Sequence, residues 1–374
     1  MHGPVAQHLK RTFKGLNDMF DCAKDILAYH DEKVTLPQAE RCTMRARRDA
    51  NRERLKRGVA KSGNTAPREF VSQGSYGMKT MIQHPESDYD IDDGVYFDWD
   101  ALVGPRGAPM SALQARQFVR DAVDDGSFAR PPEVRNNCVR VYYVAGYHVD
   151  MPVYRRVAYT DANGQFQSYY ELASTNWKRS DARDVTAWFE GENNTQSPDE
   201  GNGRQLRRIV RQIKKFARSR ESWKGQILSG FGITKLVTEC FHSDADREDI
   251  ALYETMREMF GRLDWSLIIE HPVTPNETIT KDEKDARARY LCDRLKEAID
   301  ALTPLLEAHC TRGKALKCWD KVFATTFFSD RGEISAKAAQ SLLGAPSAAP
   351  AGPFTFPNAP RVDDKPRGFG SCGG

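Results

Sequence analysis

Carboxylates placed on predicted β-strands constrain this chain more than any other feature of its sequence. Residues 89–97 (YDIDDGVYF) are typical of a strand, and residues 147–154 (YHVDMPVY) form a second, apolar strand pattern whose single acid is Asp150. Because alternate side chains of a strand share a face, Asp90 and Asp92 point the same way, about 7 Å apart. A buried Asp150 costs several kcal/mol unless it is paired or binds a cation. If the two strands are neighbours, the three carboxylates form one cluster.

Such a cluster favours a divalent cation, because like charges this close repel one another unless a cation lies between them. Carboxylate oxygens suit Mg²⁺, which binds through a few carboxylates and the phosphates of a substrate. Gly74 and Ser75 follow the predicted strand EFVS and open a predicted helix. A turn of this kind presents backbone N–H groups to a phosphate. The alternative is a solvated edge strand and an ordinary helix cap, which leaves Asp150 unexplained.

Motifs of several other enzyme classes are missing from the sequence. It contains no GxxxxGK[ST], GxSxG, HExxH or CxxC, and no GxGxxG that opens a helix after a strand. No apolar run approaches the roughly 18 residues that span a bilayer, and the first residues lack a secretory signal, so we expect a cytoplasmic protein without membrane contact. The net charge of +3 is not the excess typical of a dedicated duplex-binding protein.

The order of the predicted elements indicates an α+β chain. The spacing of Leu9, Phe13, Leu16 and Phe20 predicts a first helix, and a second begins near Thr35 with Pro37 in its first turn. A helix is predicted over 110–124, and two further strands are predicted from Cys138 to Val144 and from Tyr147 to Arg155. Helices then follow over 181–190, 204–220, 233–241, 246–262 and 281–309, and Pro304 should bend or end the last of them.

Three segments carry a family resemblance: QGSYGM, DYDIDDGVYF and HVDMPVY. Together they resemble the polymerase-β-type nucleotidyltransferase superfamily and, more narrowly, the bacterial cGAS/DncV-like nucleotidyltransferases. Within these the chain is most similar to the bacterial cyclic GMP-AMP synthase branch. Residues 176–181, 187–189 and 206–214 resemble the same branch at similar spacing.

The resemblance implies a polymerase-β-like core with a mixed sheet, joined to a C-terminal helical lobe across a central cleft. Residues 1–60 would be helices that brace both lobes, 61–175 the nucleotidyltransferase core, and 176–344 the helical lobe. Residues 345–374 hold six of the 19 prolines, and we expect a disordered tail rich in proline and glycine.

The resemblance also implies roles for individual residues. Asp90 and Asp92 would hold both metal ions, Mg²⁺ with Mn²⁺ as a substitute, and Asp150 would bind the ion that activates the attacking hydroxyl. The remaining candidates would contact nucleotides: Gln73, Gly74 and Ser75 at the donor triphosphate, Arg140 at the acceptor, Lys214 at phosphates, Ser180 at a nucleotide in the helical lobe, and Tyr76 and Met78 elsewhere on a nucleotide. The superfamily spacing also fits the pair Asp88 and Asp90. The following Asp-Gly-Val-Tyr favours Asp90 and Asp92.

The function implied is a cyclic oligonucleotide synthase that makes a second messenger for anti-phage signalling. The expected product is 3′,3′-cyclic GMP-AMP from ATP and GTP, and a downstream effector would respond to the product alone. Two alternatives remain: an RNA-end or oligoadenylate-type nucleotidyltransferase of the same fold, and a catalytically inactive nucleotide-binding protein. The presence of all three acids argues against the inactive protein.

Two further segments are basic or glycine-rich. Residues 204–224 contain nine basic residues and one acid, and most of these charges are expected on a solvated helix face, with Lys214 as the exception. The chain finishes in Gly-Ser-Cys-Gly-Gly. Because glycine has no side chain to clash, such an end fits the narrow channel of an adenylating enzyme. The hypothesis is that Gly374 is joined to other proteins by a ubiquitin-activating-like (E1/E2-type) partner.

Overall fold

A mixed β-sheet organises the N-terminal half of the protein in a computed structural model that describes residues 19–84, 89–104, 107–144 and 146–334. Eight strands of the described chain lie in the order β3-β4-β5-β2-β6-β7-β8, and β1 pairs with β2. The strands are β1 (Glu69–Gln73), β2 (Asp90–Asp98), β3 (Glu133–Val134), β4 (Val139–Tyr142), β5 (His148–Met151), β6 (Val153–Thr160), β7 (Phe166–Ala173) and β8 (Trp177–Arg179).

Strand β2 lies at the centre of this sheet. It runs antiparallel to β1 and parallel to both β5 and β6. The strand predicted from Tyr147 to Arg155 is divided at Pro152, because proline has no N–H for the ladder. The carbonyl of Pro152 still accepts a 2.8 Å bond from the Val95 N–H, so β5 and β6 follow β2 in one register.

Helices pack on the sheet and form the C-terminal half. A π-helical turn, His30–Val34, extends the first of them. The helices are α1 (Ala23–Tyr29), α2 (Gln38–Lys61), α3 (Gly74–Gly77), α4 (Ala112–Val123), α5 (Ala182–Gln196), α6 (Gln205–Ala217), α7 (Gly230–Cys240), α8 (Glu248–Trp265), α9 (Ala286–Leu302) and α10 (Arg312–Phe323). The α+β prediction is thereby confirmed.

Two apolar cores support the two halves. One lies under the sheet and joins Ile91, Val95 and Val149 to side chains of α2 and α4. The other fills the helical half around α6, α8 and α9. None of the described helices is both long and apolar enough to cross a bilayer.

The sequence predicted neither α1 nor α10 and misplaced some helix ends. Pro304 does end α9, in a short 3₁₀ turn, as predicted. Thr311 then caps α10 by accepting a bond from the Lys314 N–H, so a further helix begins where none was predicted. Leu9, Phe13 and Leu16, Asp88, the tail 345–374 and Gly374 lie outside the described residues, and the expectations for them stay predictions.

The crossing of α2 and α4 yields a stability prediction. A Cβ at Gly58 would overlap the carbonyl oxygen of Ala122. Gly58→Ala should therefore lower the free energy of unfolding by about 1–3 kcal/mol, the range for overpacked sites. Gly191→Ala in α5 is the control, since no atom of the described residues lies within 4 Å of its Cβ position. That control should raise stability by up to about 1 kcal/mol. Urea denaturation measures both, and equal effects would contradict the proposed close approach.

Candidate active site

Four polar side chains share one face where β2 and β5 run side by side. The parallel register pairs Asp90 with His148 and Asp92 with Asp150. Since side chains two residues apart on a strand share a face, these four groups form a compact square. The strands that carry the predicted acids are thus neighbours, as the clustering of the three carboxylates required.

Two contacts link the aspartates of this square to basic residues. His148 contacts Asp90 through Nε2. The Arg140 guanidinium donates to both oxygens of Asp150, each at 2.7 Å, and its Nη2 lies 3.5 Å from Asp90 Oδ1. Arg140 was predicted to face an acceptor nucleotide, and in the structure its guanidinium binds Asp150. The charge of Arg140 therefore partly neutralises the carboxylates.

The pKa values of Asp90 and Asp92 are shifted in opposite directions. Burial raises the pKa of Asp92 to about 7, and the charges of Asp90 and Asp150 act in the same direction. Burial also opposes ionisation of Asp90, but the contact with His148 and the charge of Arg140 outweigh it and hold the pKa of Asp90 below its usual value. Asp92 is therefore the acid that most needs a further cation when it ionises.

Gly74 brings the backbone against Asp92. Its φ is +57°, and a Cβ there would overlap Asp92 Oδ2 and lie 3.1 Å from Cγ. Ser75 follows in the four-residue helix α3, and its carbonyl accepts a 2.8 Å bond from the Thr80 N–H. The predicted phosphate turn and the acidic strand are thus in direct contact.

Gln73 has a different role from the one expected. Its buried side chain donates to the Tyr96 hydroxyl at 2.8 Å and accepts from the Tyr154 hydroxyl at 3.2 Å. Gly94 makes room for it, because a Cβ at Gly94 would overlap Gln73 Nε2. The side chain therefore holds β2 and β6 together and does not reach a triphosphate. Tyr76 packs against the sheet core, with the Arg48 guanidinium 5.7 Å from its ring centre.

A cleft of about 1400 Å³ opens beside the acids and reaches into the helical half. Seven of the predicted site residues line it: Gly74, Ser75, Met78, Asp90, Asp92, Ser180 and Lys214. Asp150 instead borders a second cavity of about 840 Å³ together with Arg116 and Cys138. Gln73, Tyr76 and Arg140 do not line the large cleft.

Ser180 and Met78 occupy different environments in the cleft. Asp181, not Ser180, caps α5 by accepting from the Arg183 N–H, which leaves the Ser180 side chain at the cleft wall. Met78 is only 2% exposed and belongs to the core of the helical half. Its contribution to a ligand is therefore limited to the edge of its side chain.

The basic stripe of α6 is buried, contrary to the solvated face that was expected. Arg207 Nε donates to the carbonyl of Met78 at 3.1 Å, and Arg211 donates to the carbonyl of Lys79 at 2.9 and 2.7 Å. Lys214 Nζ lies 2.8 Å from the Thr80 hydroxyl oxygen. These three side chains, at helical spacing on α6, contact the consecutive residues 78, 79 and 80. That segment comes directly after the phosphate turn of Gly74 and Ser75. The three side chains tie that segment to the helical half.

His148 is the site residue that sequence reasoning missed. Its signal was its position two residues before Asp150, which places both side chains on one face. The same argument that paired Asp90 with Asp92 applies to it. Ligand atoms of Asp90, His148 and Asp150 all lie within 4.8 Å of one another.

Comparisons with known proteins agree with this geometry. Residues 68–154 match the family model for the nucleotidyltransferase domain of cyclic GMP-AMP synthase DncV-like proteins. The structure of Escherichia coli MS115-1 CdnC with ATP is similar with a TM-score of 0.60, 16% identity, and coverage of 82% of this chain and 98% of that one.

Two structures of the Vibrio cholerae enzyme DncV are similar as well. One is the di-nucleotide cyclase, with a TM-score of 0.64, 16% identity, and coverage of 82% of this chain and 96% of that one. The other is a complex of this cyclic AMP-GMP synthase with the linear intermediate 5′ pppA(3′,5′)pG, with a TM-score of 0.58, 17% identity, and coverage of 78% and 91%.

The domain match, together with the fold, defines a nucleotidyltransferase. The matched segment, residues 68–154, is a DncV-like nucleotidyltransferase domain, which confirms the resemblance of its motifs. The fold is similar to those of both DncV and CdnC, so the comparisons do not resolve a single branch.

Proposed function

We propose that this protein is a metal-dependent synthase of cyclic oligonucleotides. The observation that carries the proposal is the square of acids and His148, of which Asp90 and Asp92 line a cleft of about 1400 Å³, with Gly74 pressed against Asp92. Pockets for one small ligand measure roughly 300–1,000 Å³, so this cleft has room for a donor and an acceptor nucleotide. A large cleft beside clustered carboxylates is the arrangement that nucleotidyl transfer requires.

The donor groups fit divalent cations. Hard carboxylate oxygens cluster here, and the raised pKa of Asp92 reflects its burial, reinforced by the negative charges of Asp90 and Asp150. Asp90 and Asp92 would hold the ions together, and Asp150 would bind the ion nearer the acceptor. Bound ions would supply charge neutralisation at the attacking and leaving oxygens.

The protein's own residues would align the reactants. Gly74 and Ser75 would orient the donor triphosphate so that its α-phosphorus faces the acceptor ribose. The ribose oxygen then forms a bond to that phosphorus, the bond to the pyrophosphate oxygen breaks and pyrophosphate is released, and the hydroxyl proton passes to water. Arg140 would exchange Asp150 for a phosphate of the acceptor. A second transfer in the same cleft closes the ring.

The substrates proposed are ATP and GTP, and the product 3′,3′-cyclic GMP-AMP, acting as a second messenger in anti-phage signalling. Support comes from the motif resemblance and from the similarity to V. cholerae DncV, a cyclic AMP-GMP synthase. The buried cations of α6 and the lysine at the cleft wall provide positive charge for two triphosphates.

Chromatography of products from labelled nucleoside triphosphates tests the proposal. The purified protein with Mg²⁺ or Mn²⁺, and without RNA, should convert ATP and GTP into a compound that resists phosphatase, because a closed ring has no terminal phosphate. EDTA should stop the reaction. A phosphatase-sensitive ladder would favour the RNA-end or oligoadenylate alternative, and no product from any triphosphate pair would contradict synthase activity.

Nucleotide binding should take up a proton through Lys214. Burial, reinforced by the charges of Arg218 and Arg211, lowers the pKa of the Lys214 ammonium to about 7. The side chain is therefore about nine-tenths neutral at pH 8. A triphosphate beside Nζ favours the charged form and raises the pKa, so a proton enters from the buffer. Calorimetry in two buffers of different ionisation enthalpy should show uptake near one proton at pH 8 and less at pH 6.

A matched pair of variants identifies the group that takes up the proton. Lys214→Met should lose the uptake and weaken nucleotide binding. Lys235→Met is the control, because Lys235 pairs with Glu239 at 2.8 Å on α7 and does not line the cleft. Uptake that persists in Lys214→Met would assign the proton to another group.

A further inference from the structure

His148 occupies the fourth corner of the acidic square. Its backbone N–H donates to the Tyr89 carbonyl at 3.0 Å, and its partner across β2 is Asp90. The side chain of His148 is 13% exposed, whereas that of Asp90 is 56% exposed. The imidazole is therefore set into the wall of the site, with Nε2 against the carboxylate.

The imidazole ring of His148 lies beside a tyrosine ring of β4. Tyr142 is the partner of His148 on β4, and the two ring centres lie 6.4 Å apart. The Tyr142 hydroxyl donates to Glu133 Oε2 at 2.6 Å, which fixes the tyrosine. These contacts hold the imidazole in the position that presents Nε2 to the carboxylates.

The spacing matches a set of ligands around one ion. One atom from each of Asp90, His148 and Asp150 lies within 4.8 Å of the other two. Ligand atoms of an ion bound at about 2.1 Å are about 3 Å apart when adjacent and about 4.2 Å apart when opposite, so small side-chain shifts would seat all three. Because the strands fix their backbones, the ligands need no rearrangement of the sheet.

The imidazole nitrogen of His148 changes which metal ions the site favours. Carboxylate and water oxygens suit Mg²⁺, whereas imidazole is a ligand of first-row transition ions. We propose that His148 is a ligand, through Nε2, of one of the two divalent ions of the proposed synthase, and that this position takes a transition ion such as Mn²⁺ in preference to Mg²⁺. The inference rests on the proposed function only because that function gives the bound ion its role.

The competing interpretation predicts the opposite change in Mn²⁺ affinity when His148 is removed. If His148 serves only as a charge partner of Asp90, its removal frees a carboxylate and strengthens binding of every divalent ion. If His148 is a ligand, its removal weakens Mn²⁺ binding and leaves Mg²⁺ binding nearly unchanged. The two interpretations are therefore separated by the direction of one change.

The experiment uses Mn²⁺ as the probe on the full chain, with a nonhydrolysable ATP analogue present. Pulsed electron paramagnetic resonance should detect ¹⁴N coupling to bound Mn²⁺ in the wild type. His148→Ala and His148→Gln should abolish the coupling and weaken Mn²⁺ binding by about tenfold or more. The Kd for Mg²⁺, measured by competition, should change less than twofold. His242→Ala is the control, because that histidine lies after α7 and outside the cleft.

Two results would overturn the inference: bound Mn²⁺ without ¹⁴N coupling in the wild type, or tighter Mn²⁺ binding in His148→Ala. Circular dichroism of each variant verifies that β5 still folds. Failure of the proposed function is recognised separately, as absence of nucleotide transfer with Mg²⁺. Coupling to the imidazole would establish the metal ligand even then.

Discussion

Asp92→Asn should abolish nucleotide transfer and, in the absence of metal, make the protein more stable. Activity should fall by about 10³-fold or more, because the replaced carboxylate is the proposed shared ligand of both ions. Stability should rise because the ionised Asp92 is buried beside Asp90 and Asp150. A catalytic defect with increased stability is the signature of a residue kept for chemistry.

The pH dependence of this effect has a defined direction. The pKa of Asp92 is raised from 3.8 to about 7 in the folded protein, so the folded state binds this proton more tightly than the unfolded chain. The cost of ionisation is absent below about pH 4, grows as the pH rises towards 7, and is complete above it. In EDTA at pH 8, Asp92→Asn should therefore raise the free energy of unfolding by about 1–3 kcal/mol. At pH 4 the two proteins should unfold at nearly the same temperature.

Asp93→Asn is the matched control. Asp93 is the next residue of β2, on the opposite face, and is 1% exposed. It accepts bonds from Arg52 at 2.7 and 2.5 Å, so its replacement should lower stability by about 1–3 kcal/mol. Thermal unfolding with and without Mg²⁺ measures both variants. If Asp92→Asn destabilises the metal-free protein while turnover per folded molecule is retained, Asp92 is structural.

Gly74→Ala should reduce kcat/KM by about 100-fold or more. The substitution places a Cβ where Asp92 Oδ2 now lies, so either the turn or the carboxylate must move. A displacement of about 1 Å at a reacting centre costs roughly 10²-fold in rate. Pyrophosphate release measures the loss.

Gly63→Ala separates this effect from backbone strain. Gly63 has a φ of +71°, close to the +57° of Gly74, and within the described part of the chain its Cβ position has no atom closer than 4 Å. Both alanines bear the left-handed backbone cost of about 1–2 kcal/mol. Only Gly74→Ala meets a carboxylate, so only it should lose activity. Equal losses in the two variants would show that the contact with Asp92 is unimportant.

The features of the site that depend on local periodicity could be predicted from the sequence. A period of two placed Asp90 and Asp92 on one face, and the lone acid of an apolar strand identified Asp150 as their partner. The same rule places His148 on the face of Asp150. A histidine within a strand usually has its hydrogen bonds satisfied in the core, so its position alone did not indicate a site residue.

The orientations of side chains whose partners are distant in the sequence could not be predicted. Gln73 lies beside the phosphate turn in sequence, yet Tyr96 and Tyr154 on two other strands determine its orientation. Arg207 and Arg211 were interpreted as solvated because charge runs usually are. Their partners are the carbonyls of Met78 and Lys79, which no pattern within the helix reveals.

The attachment of α6 to the phosphate turn also affects how the protein is made. Lys214 meets Thr80 across 134 residues of chain, and Arg207 meets Met78 across 129. Contacts between such distant residues form only after both segments exist and have been brought together. A ribosome that has finished the sheet therefore carries a chain whose acids are in place but whose turn is not yet held by α6.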